Sequence, residues 1–505
     1  MKNLSLLGLA ILVAPLSAQT APPQSRAASS ITAADVARRV DIIADDSMMG
    51  RDTPSRGLEL TAQYVADQFQ RFGLKPGGDR GWIQRYSITR RRLDLSRSRV
   101  IFAAGRVKDV ARFTSAARYD GGGVPEKPVS GAALLVMGNQ TTESAGRINV
   151  TGKVVLYLPP AGTDPAALQQ VLRTLYLANP LALITLRDTD SAAFAAGIPL
   201  RPPERTVVGT GSGRAVALQV RAGAVAGTLS RAAGEASLDR DQGDPVVREL
   251  PGLRVTVEMK DTVTSSLSAP NTVGILPGSD PKLKDEYLVY SAHMDHIGIT
   301  PGQPDSINNG ADDDGSGTTG VMELAEAFSR PGARPKRSII FLTVSGEEKG
   351  LWGSKYFSEH PPVPIGQIVA DINIDMIGRN WPDTIVAIGK EHSDLGSTLN
   401  RVNAAHPELG MTAIDDRWPE ERFYFRSDHY NFARKGVPIL FFFNGVHEDY
   451  HEVTDSPDKI NSDKEARILQ LLFYLGQDIA NAPKRPQWKP ESYQEIVEEK
   501  SVSGR

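Results

Sequence analysis

Past Asn271 the chain carries four short, almost unbroken apolar runs: Tyr287 to Tyr290, Ser338 to Val344, Ile368 to Ile374 and Ile439 to Phe443. Runs of this length without polar alternation suit strands buried on both faces, the condition of a parallel sheet covered by helices. Between the first two, Val321, Leu324, Ala325 and Phe328 repeat at helical spacing, and Pro331-Gly332 closes the segment, so it reads as an amphipathic helix. Strands alternating with helices predict an α/β architecture with a mostly parallel central sheet.

At 505 residues the chain exceeds one compact unit. It has no cysteine, which removes disulfides, thiolate metal sites, iron–sulfur clusters and cysteine nucleophiles together. Its formal net charge of −3 provides no global field to draw in nucleic acid or an anionic membrane. At the start, Lys2, the apolar run Leu4 to Val13 and the exit Ser17-Ala18 before Gln19 read as a signal peptide over residues 1–18. That run is too short to span a bilayer. The expectation is a secreted or periplasmic protein with no membrane span.

Residues 19–121 read as the first part of the main domain. Thr32 and Asp35 have capping-box-like spacing ahead of one helix, Gly57 to Phe72 predicts a second, and Trp82 to Val110 alternates like strands. The triplet Arg90-Arg91-Arg92 is read as a solvated sheet face. From Gly122 the texture becomes rich in Gly, Ala and Val, with strands predicted at Ala132 to Met137, Lys153 to Leu158 and Leu181 to Leu186. A helix is expected to open at Thr163-Asp164-Pro165. Residues 122–255 therefore read as an inserted β-rich domain, 256–485 as the catalytic domain and 486–505 as a tail.

All eight histidines lie between His293 and His451. Ligand-type residues follow predicted strands at five places: His293-Met294-Asp295-His296, Asp312-Asp313-Asp314, Glu347-Glu348, Asp375 and Tyr450-His451. In an open α/β sheet, sites form outside the carboxyl ends of the strands, so these loops can converge in one crevice. Histidine and carboxylate without thiolate suit Zn²⁺, with Mn²⁺ or Co²⁺ as alternatives, and a shared carboxylate can bridge two ions. Asp295 is placed to hold the His293 imidazole by a hydrogen bond. One of the adjacent glutamates can bind metal while the other reaches the activated water. Any member of the aspartate triplet can supply the bridge by sequence alone. A calcium loop fails on spacing, since its twelfth position is Val321. Gly315-x-Gly317-x-x-Gly320 follows an Asn/Asp-rich loop rather than a strand, which sets aside a dinucleotide site.

Five motifs in order resemble the co-catalytic zinc aminopeptidase family, which also holds glutamate carboxypeptidases, glutaminyl cyclases and the transferrin receptor. They are Ser291-Ala-His-Met-Asp-His-Ile-Gly298, Gly310-Ala-Asp-Asp-Asp-Gly-Ser-Gly317, Gly346-Glu-Glu-Lys-Gly350, Asn373-Ile-Asp-Met-Ile-Gly378 and Tyr450-His-Glu-Val-Thr-Asp455. Ser427-Asp-His429 followed by Gly436-Val-Pro438 is also similar. The resemblance implies a zinc-exopeptidase α/β/α sandwich, and Val150-Thr-Gly-Lys-Val-Val155 resembles the protease-associated (PA) domain that many members carry. It implies two Zn²⁺ per chain, His293 and Asp375 on one, Glu348 and His451 on the other, with Asp313 between them. Glu347 matches the family's general base, Asp295 the partner of the first histidine and Tyr450 the tyrosine that stabilises the oxyanion. His296, His429 and His447 have no ligand role in the family pattern and read as structural or substrate-facing. The implied reaction removes N-terminal residues from peptides with a free N-terminus. Alternatives within the same family are a carboxypeptidase or dipeptidase gripping a carboxylate with Arg379 or Arg426, a one-zinc glutaminyl cyclase, and a non-catalytic binding protein, which should have lost ligands.

Overall fold

The computed structural model describes residues 22–209, 215–234, 243–302 and 304–497, so the signal-peptide reading of residues 1–18 lies outside the described residues. Among them no helix is long and apolar enough to cross a membrane.

A ten-stranded sheet forms the larger half. Its centre is four parallel strands in the spatial order Ile439–Phe442, Ile368–Ile374, Tyr287–His293 and Ser338–Val344. These are the four apolar runs, and almost every residue in them is buried. Alternation divides them between two cores. Leu288, Tyr290 and Ala292 pack with helices Ala33–Ile43, Gly317–Ser329 and Ser462–Asn481 on one face. Val289, Ile340 and Leu342 pack with Phe357 and Phe432, from helices Trp352–Glu359 and His429–Ala433, on the other. The sandwich is thus covered on both faces, as the unalternating composition requires. Tyr290 donates its hydroxyl to the Leu472 carbonyl at 2.7 Å, and a Cβ at Gly476 would sit 1.8 Å from that oxygen, so the close approach demands glycine there.

Local signals in the N-terminal segment hold. Thr32 accepts from the Asp35 backbone N–H at the start of Ala33–Ile43, and Ser55 from Leu58 at the start of Arg56–Arg71.

The second sheet has eight strands drawn from Arg99 to Glu258. Its central strands Val129–Met137, Lys153–Leu158, Ala182–Arg187 and Val216–Arg221 are also parallel. Helix Pro165–Leu177 covers one face, its cap Asp164 accepting from Ala166 and Ala167 with Pro165 in the first turn. Strands Arg99–Ala104, Val107–Arg112 and Ala117–Gly122 belong to this sheet although the change in composition comes only at Gly122. They are antiparallel, half-exposed strands, and their alternating texture resembles that of the ribbon before them.

That ribbon joins the halves. Ile83–Leu93 pairs antiparallel with Asp261–Leu276, which continues into the larger sheet beside Ser338–Val344. The Asp94 N–H donates to the Lys260 carbonyl at 2.8 Å where the chain passes into and out of the insert. Two of the three consecutive arginines on the ribbon are ion-paired, Arg91 with Asp261 at 3.3 Å and Arg92 with Glu204 at 2.5 Å.

Candidate metal centre

Parallel register brings the carboxyl ends of the central strands to one edge: His293 lies opposite Val344, Ser291 opposite Asn373 and Ile374 opposite Phe442. The residues that follow, Asp295, Glu347, Glu348 and Asp375, therefore emerge together. The acidic loop at Ala311–Ser316 enters the same crevice ahead of helix Gly317–Ser329.

The three aspartates of that loop part company. Asp314 accepts from three backbone N–H groups, those of His293 (3.0 Å), Gly317 (2.8 Å) and Met376 (3.3 Å), and so ties two strand ends to the helix. Asp312 accepts from Gly378 N–H at 2.6 Å and lies 3.1 Å from His447 Nε2. Asp313 faces two histidines at once, with Oδ1 3.4 Å from His293 Nε2 and Oδ2 3.2 Å from His451 Nε2. Asp455 fixes this arrangement by accepting from the Asp312 and Asp313 N–H groups, each at 3.1 Å.

Around Asp313 the ligand-type atoms form two groups, each lying within 4.8 Å: His293 with Asp313 and Asp375, and His296 with Asp313 and Glu348. His293 Nε2 is 3.7 Å from Asp375 Oδ1, and His451 Nε2 is 3.2 Å from Glu348 Oε2. Ser427 donates to Asp375 Oδ2 at 3.0 Å, which turns the other carboxylate oxygen to His293. His293 Nδ1 lies 3.1 Å from the Asp295 carbonyl, so it carries the proton and leaves Nε2 free to coordinate.

The expected bond between the Asp295 carboxylate and that imidazole takes a different form. Its Oδ1 is 3.8 Å from His293 Nδ1, and the backbone carbonyl makes the closer contact. The carboxylate instead accepts from the Thr53 hydroxyl at 2.9 Å and from Glu347 N–H at 3.3 Å. Thr53 Oγ1 also accepts from Gly346 N–H at 3.0 Å, so Thr53 and Asp295 together hold the turn that carries Glu347. Tyr450 is partly buried and stacks on the His451 ring at 3.9 Å. His429 is buried against Phe441 and lies within hydrogen-bonding distance of the Tyr424 carbonyl, in the wall behind the cluster.

Several contributors were invisible to sequence reasoning. Arg51, fully buried, donates to the carbonyls of Ile43, Met294 and Gly310, clamping both metal-facing loops from the N-terminal segment. Thr53, Ser427 and Asp455 act through bonds to residues 52–242 positions away. Only Ser427 and Asp455 lay inside quoted motifs, which was the one available signal.

Electrostatics place this cluster under tension. Burial pushes Asp295 up to about 6, and burial together with nearby Asp428 and Asp375 pushes Glu347 well above the usual range, against the pull of His293. Although burial opposes it, the neighbouring Asp313 and Glu348 carboxylates lift His451 to about 10. Asp313 Oδ2, Asp375 Oδ1 and His451 Nε2 are buried without a well-formed hydrogen bond. Unsatisfied carboxylate and imidazole atoms converging in one crevice fit divalent cations, whose charge would offset the burial penalty of so many acids. The donor set is all N and O, suited to zinc.

The chain matches peptidase family M28 over residues 271–476, which lie within the larger half. The leupeptin-inactivating enzyme 1 of Streptomyces exfoliatus is 29% identical over 231 residues, 45% of this chain and 46% of that protein. A probable leucine aminopeptidase of Arthroderma benhamiae is 26% identical over 250 residues, 48% of this chain and 65% of its own length. The chain thus spans about half the length of the curated relatives it matches. Among solved structures, an aminopeptidase from Aneurinibacillus sp. strain AM-1 aligns over 92% of this chain and 98% of its own, at 17% identity and a TM-score of 0.47.

Proposed function

We propose that this chain is a two-zinc exopeptidase that hydrolyses the first peptide bond of substrates with a free N-terminus. The observation that carries the reading is the pair of histidine–carboxylate groups sharing Asp313, with Glu347 on the adjoining turn. One ion would be held by His293, Asp313 and Asp375, the other by Asp313, Glu348 and His451. Bound there, zinc supplies Lewis acidity and lowers the pKa of coordinated water toward neutrality.

Glu347 is the general base. It takes a proton from the attacking water as the carbonyl carbon becomes tetrahedral, then returns it to the leaving amine as the C–N bond breaks. Its orientation comes from the Asp295–Thr53 pair. Tyr450, stacked beside His451, donates its hydroxyl to the developing oxyanion.

The carboxypeptidase alternative needs a free arginine. Arg379 is paired with Asp449 at 3.0 Å and Arg426 with Glu421 at 3.3 Å, so each guanidinium already has an acid beside it. The names of relatives, a probable leucine aminopeptidase among them, point the same way. Export belongs to this reading on the basic and apolar character of residues 1–18.

The test is a set of matched peptides with free and blocked N-termini, with products read by mass spectrometry. Release of the N-terminal residue only from free-amine peptides is expected, and trimming of blocked peptides from the C-terminus would overturn the assignment. Glu347→Gln should retain both metals while kcat falls by about 10²–10⁴. Metal loss in that variant would exchange the roles of Glu347 and Glu348.

A further inference from the structure

We infer that His296 is a ligand of the second ion, through Nδ1, beside Asp313, Glu348 and His451. This rests on the two-metal reading above and adds a residue that the family pattern leaves without a ligand role. The ring is fully buried at the carboxyl end of the strand Tyr287–His293. Its Nδ1 faces two different carboxylates, 2.9 Å from Glu348 Oε1 and 3.7 Å from Asp313 Oδ2.

The separations from His296 to Asp313 and Glu348 are those of ligands around one ion, and the three residues offer ligand atoms within 4.8 Å of one another. Zinc–oxygen and zinc–nitrogen bonds of about 2.0–2.2 Å at tetrahedral angles place neighbouring ligand atoms roughly 3.3 Å apart. The four measured separations are 2.9 and 3.7 Å from His296, and 3.2 and 3.2 Å from His451 to Asp313 and Glu348. They scatter around that value. Glu348 presents Oε1 to His296 and Oε2 to His451, so its carboxylate lies between the two rings, which meet edge to face at 5.6 Å. A histidine serving only to orient Glu348 would face one carboxylate, whereas this nitrogen faces the gap between two.

The backbone makes room for the ring. Gly310 has a φ of +57°, and a Cβ there would stand 2.6 Å from His296 Cγ and Cδ2. A side chain at this position would push the imidazole out of the crevice, and the left-handed conformation is itself one that glycine adopts freely.

The consequence is an unequal pair. With His296 added, the second position would have four protein residues to hold an ion, against three, His293, Asp313 and Asp375, at the first, and a fuller set of protein ligands leaves less room for exchange. The second ion should therefore be the tighter and the first the one that exchanges.

The choice of nitrogen supplies the test, because His293 would bind through Nε2 and His451 faces the cluster through Nε2. The full chain, labelled with ¹⁵N-histidine and loaded with ¹¹³Cd, should show one-bond cadmium–nitrogen coupling at two Nε2 atoms and one Nδ1. His296→Gln should abolish the Nδ1 coupling and weaken one zinc of two by more than about 10²-fold in a chelator competition, beyond the 10–100-fold ordinarily lost with an outer hydrogen-bond partner. Nε2 couplings without any Nδ1 coupling in the unmodified protein would overturn this inference and leave the two-metal reading standing. Absence of coupling at every histidine would defeat both.

Discussion

The larger sheet and the inserted sheet each hold four parallel strands at their centre with helices packed against them, yet, among the described residues, it is the larger one that gathers histidines and carboxylates within 4.8 Å of one another at its carboxyl edge. In the insert, polar residues after the strand ends serve the backbone. Gln140 donates to the Met137 carbonyl, and Asp190 caps the short helix Ser191–Ala196 by accepting from Ala192 and Ala193. Among the described residues, no buried carboxylate of the insert lacks a hydrogen bond. At the equivalent edge of the larger sheet, Asp313 and Asp375 each keep an unsatisfied buried oxygen. A parallel sheet supplies a crevice, and a site arises where the loops deny their acids an ordinary partner.

Changing the shared carboxylate should break this contrast most severely. Asp313→Asn removes the charge common to both groups, so zinc content should fall below two per chain. Peptide hydrolysis should drop by more than about 10²-fold, since even losing an outer partner costs 10–100-fold. Plasma-emission analysis and steady-state rates would check it, and full activity with two zincs would dissolve the distinction between the sheets.

A core truncation in the other half is the matching experiment. Leu156, fully buried in the insert, should lose about 2–5 kcal/mol on replacement by alanine. Denaturant unfolding of Leu156→Ala should show that loss while zinc content stays at the unmodified level. Zinc lost in parallel would mean that the two halves do not behave as separate cores.

Asp455→Ala should act at intermediate strength. It removes the acceptor for Asp312 and Asp313 N–H without touching a ligand atom, so metal affinity should weaken by about 10–100-fold. Chelator titration gives the value, and an unchanged affinity would show that the acidic loop holds its shape unaided.

The smallest effect concerns pH. Glu465 is fully buried in the larger half, with both carboxylate oxygens unpartnered. Burial first, and the Asp312 charge next, hold its pKa well above the ordinary 4.5, against the pull of Lys464. A group that binds its proton more tightly in the folded chain favours folding at low pH and lowers stability as pH rises above the unfolded value. Glu465→Gln should therefore raise Tm by about 1–3 °C at pH 8 and change it little at pH 4.5. Equal shifts at both pH values in a melting series would locate the effect in packing.

The four central strands of the larger sheet were legible because burial on both faces leaves an apolar run with no alternation, and the ligand types were legible because they follow those runs directly. Three strands of the insert, Val129–Met137, Lys153–Leu158 and Ala182–Arg187, were legible for the same reason, whereas Val216–Arg221 beside them was not. The insert's outer strands from Arg99 to Gly122 were not, since antiparallel strands with one exposed face share the texture of the ribbon that precedes them. Thr53 and Arg51 escaped notice because the bonds that give them meaning reach across more than 240 residues of chain.

By itself the sequence determined the inventory: histidines confined to one half, no thiolate, five ligand-bearing loops in order and the strand ends that carry them. Tertiary structure decided the allocation. Three adjacent aspartates have the same chemistry, and only the surrounding N–H groups separate them: Asp314 is occupied by three, Asp312 by Gly378, and Asp313 is held through its own N–H by Asp455, leaving its carboxylate for the histidines. The same applies to Asp295, whose carboxylate turned to Thr53 and Glu347 while its carbonyl took the imidazole. A residue type limits the bonds a side chain can make, but which of them form depends on the donors that distant segments bring within about 3 Å.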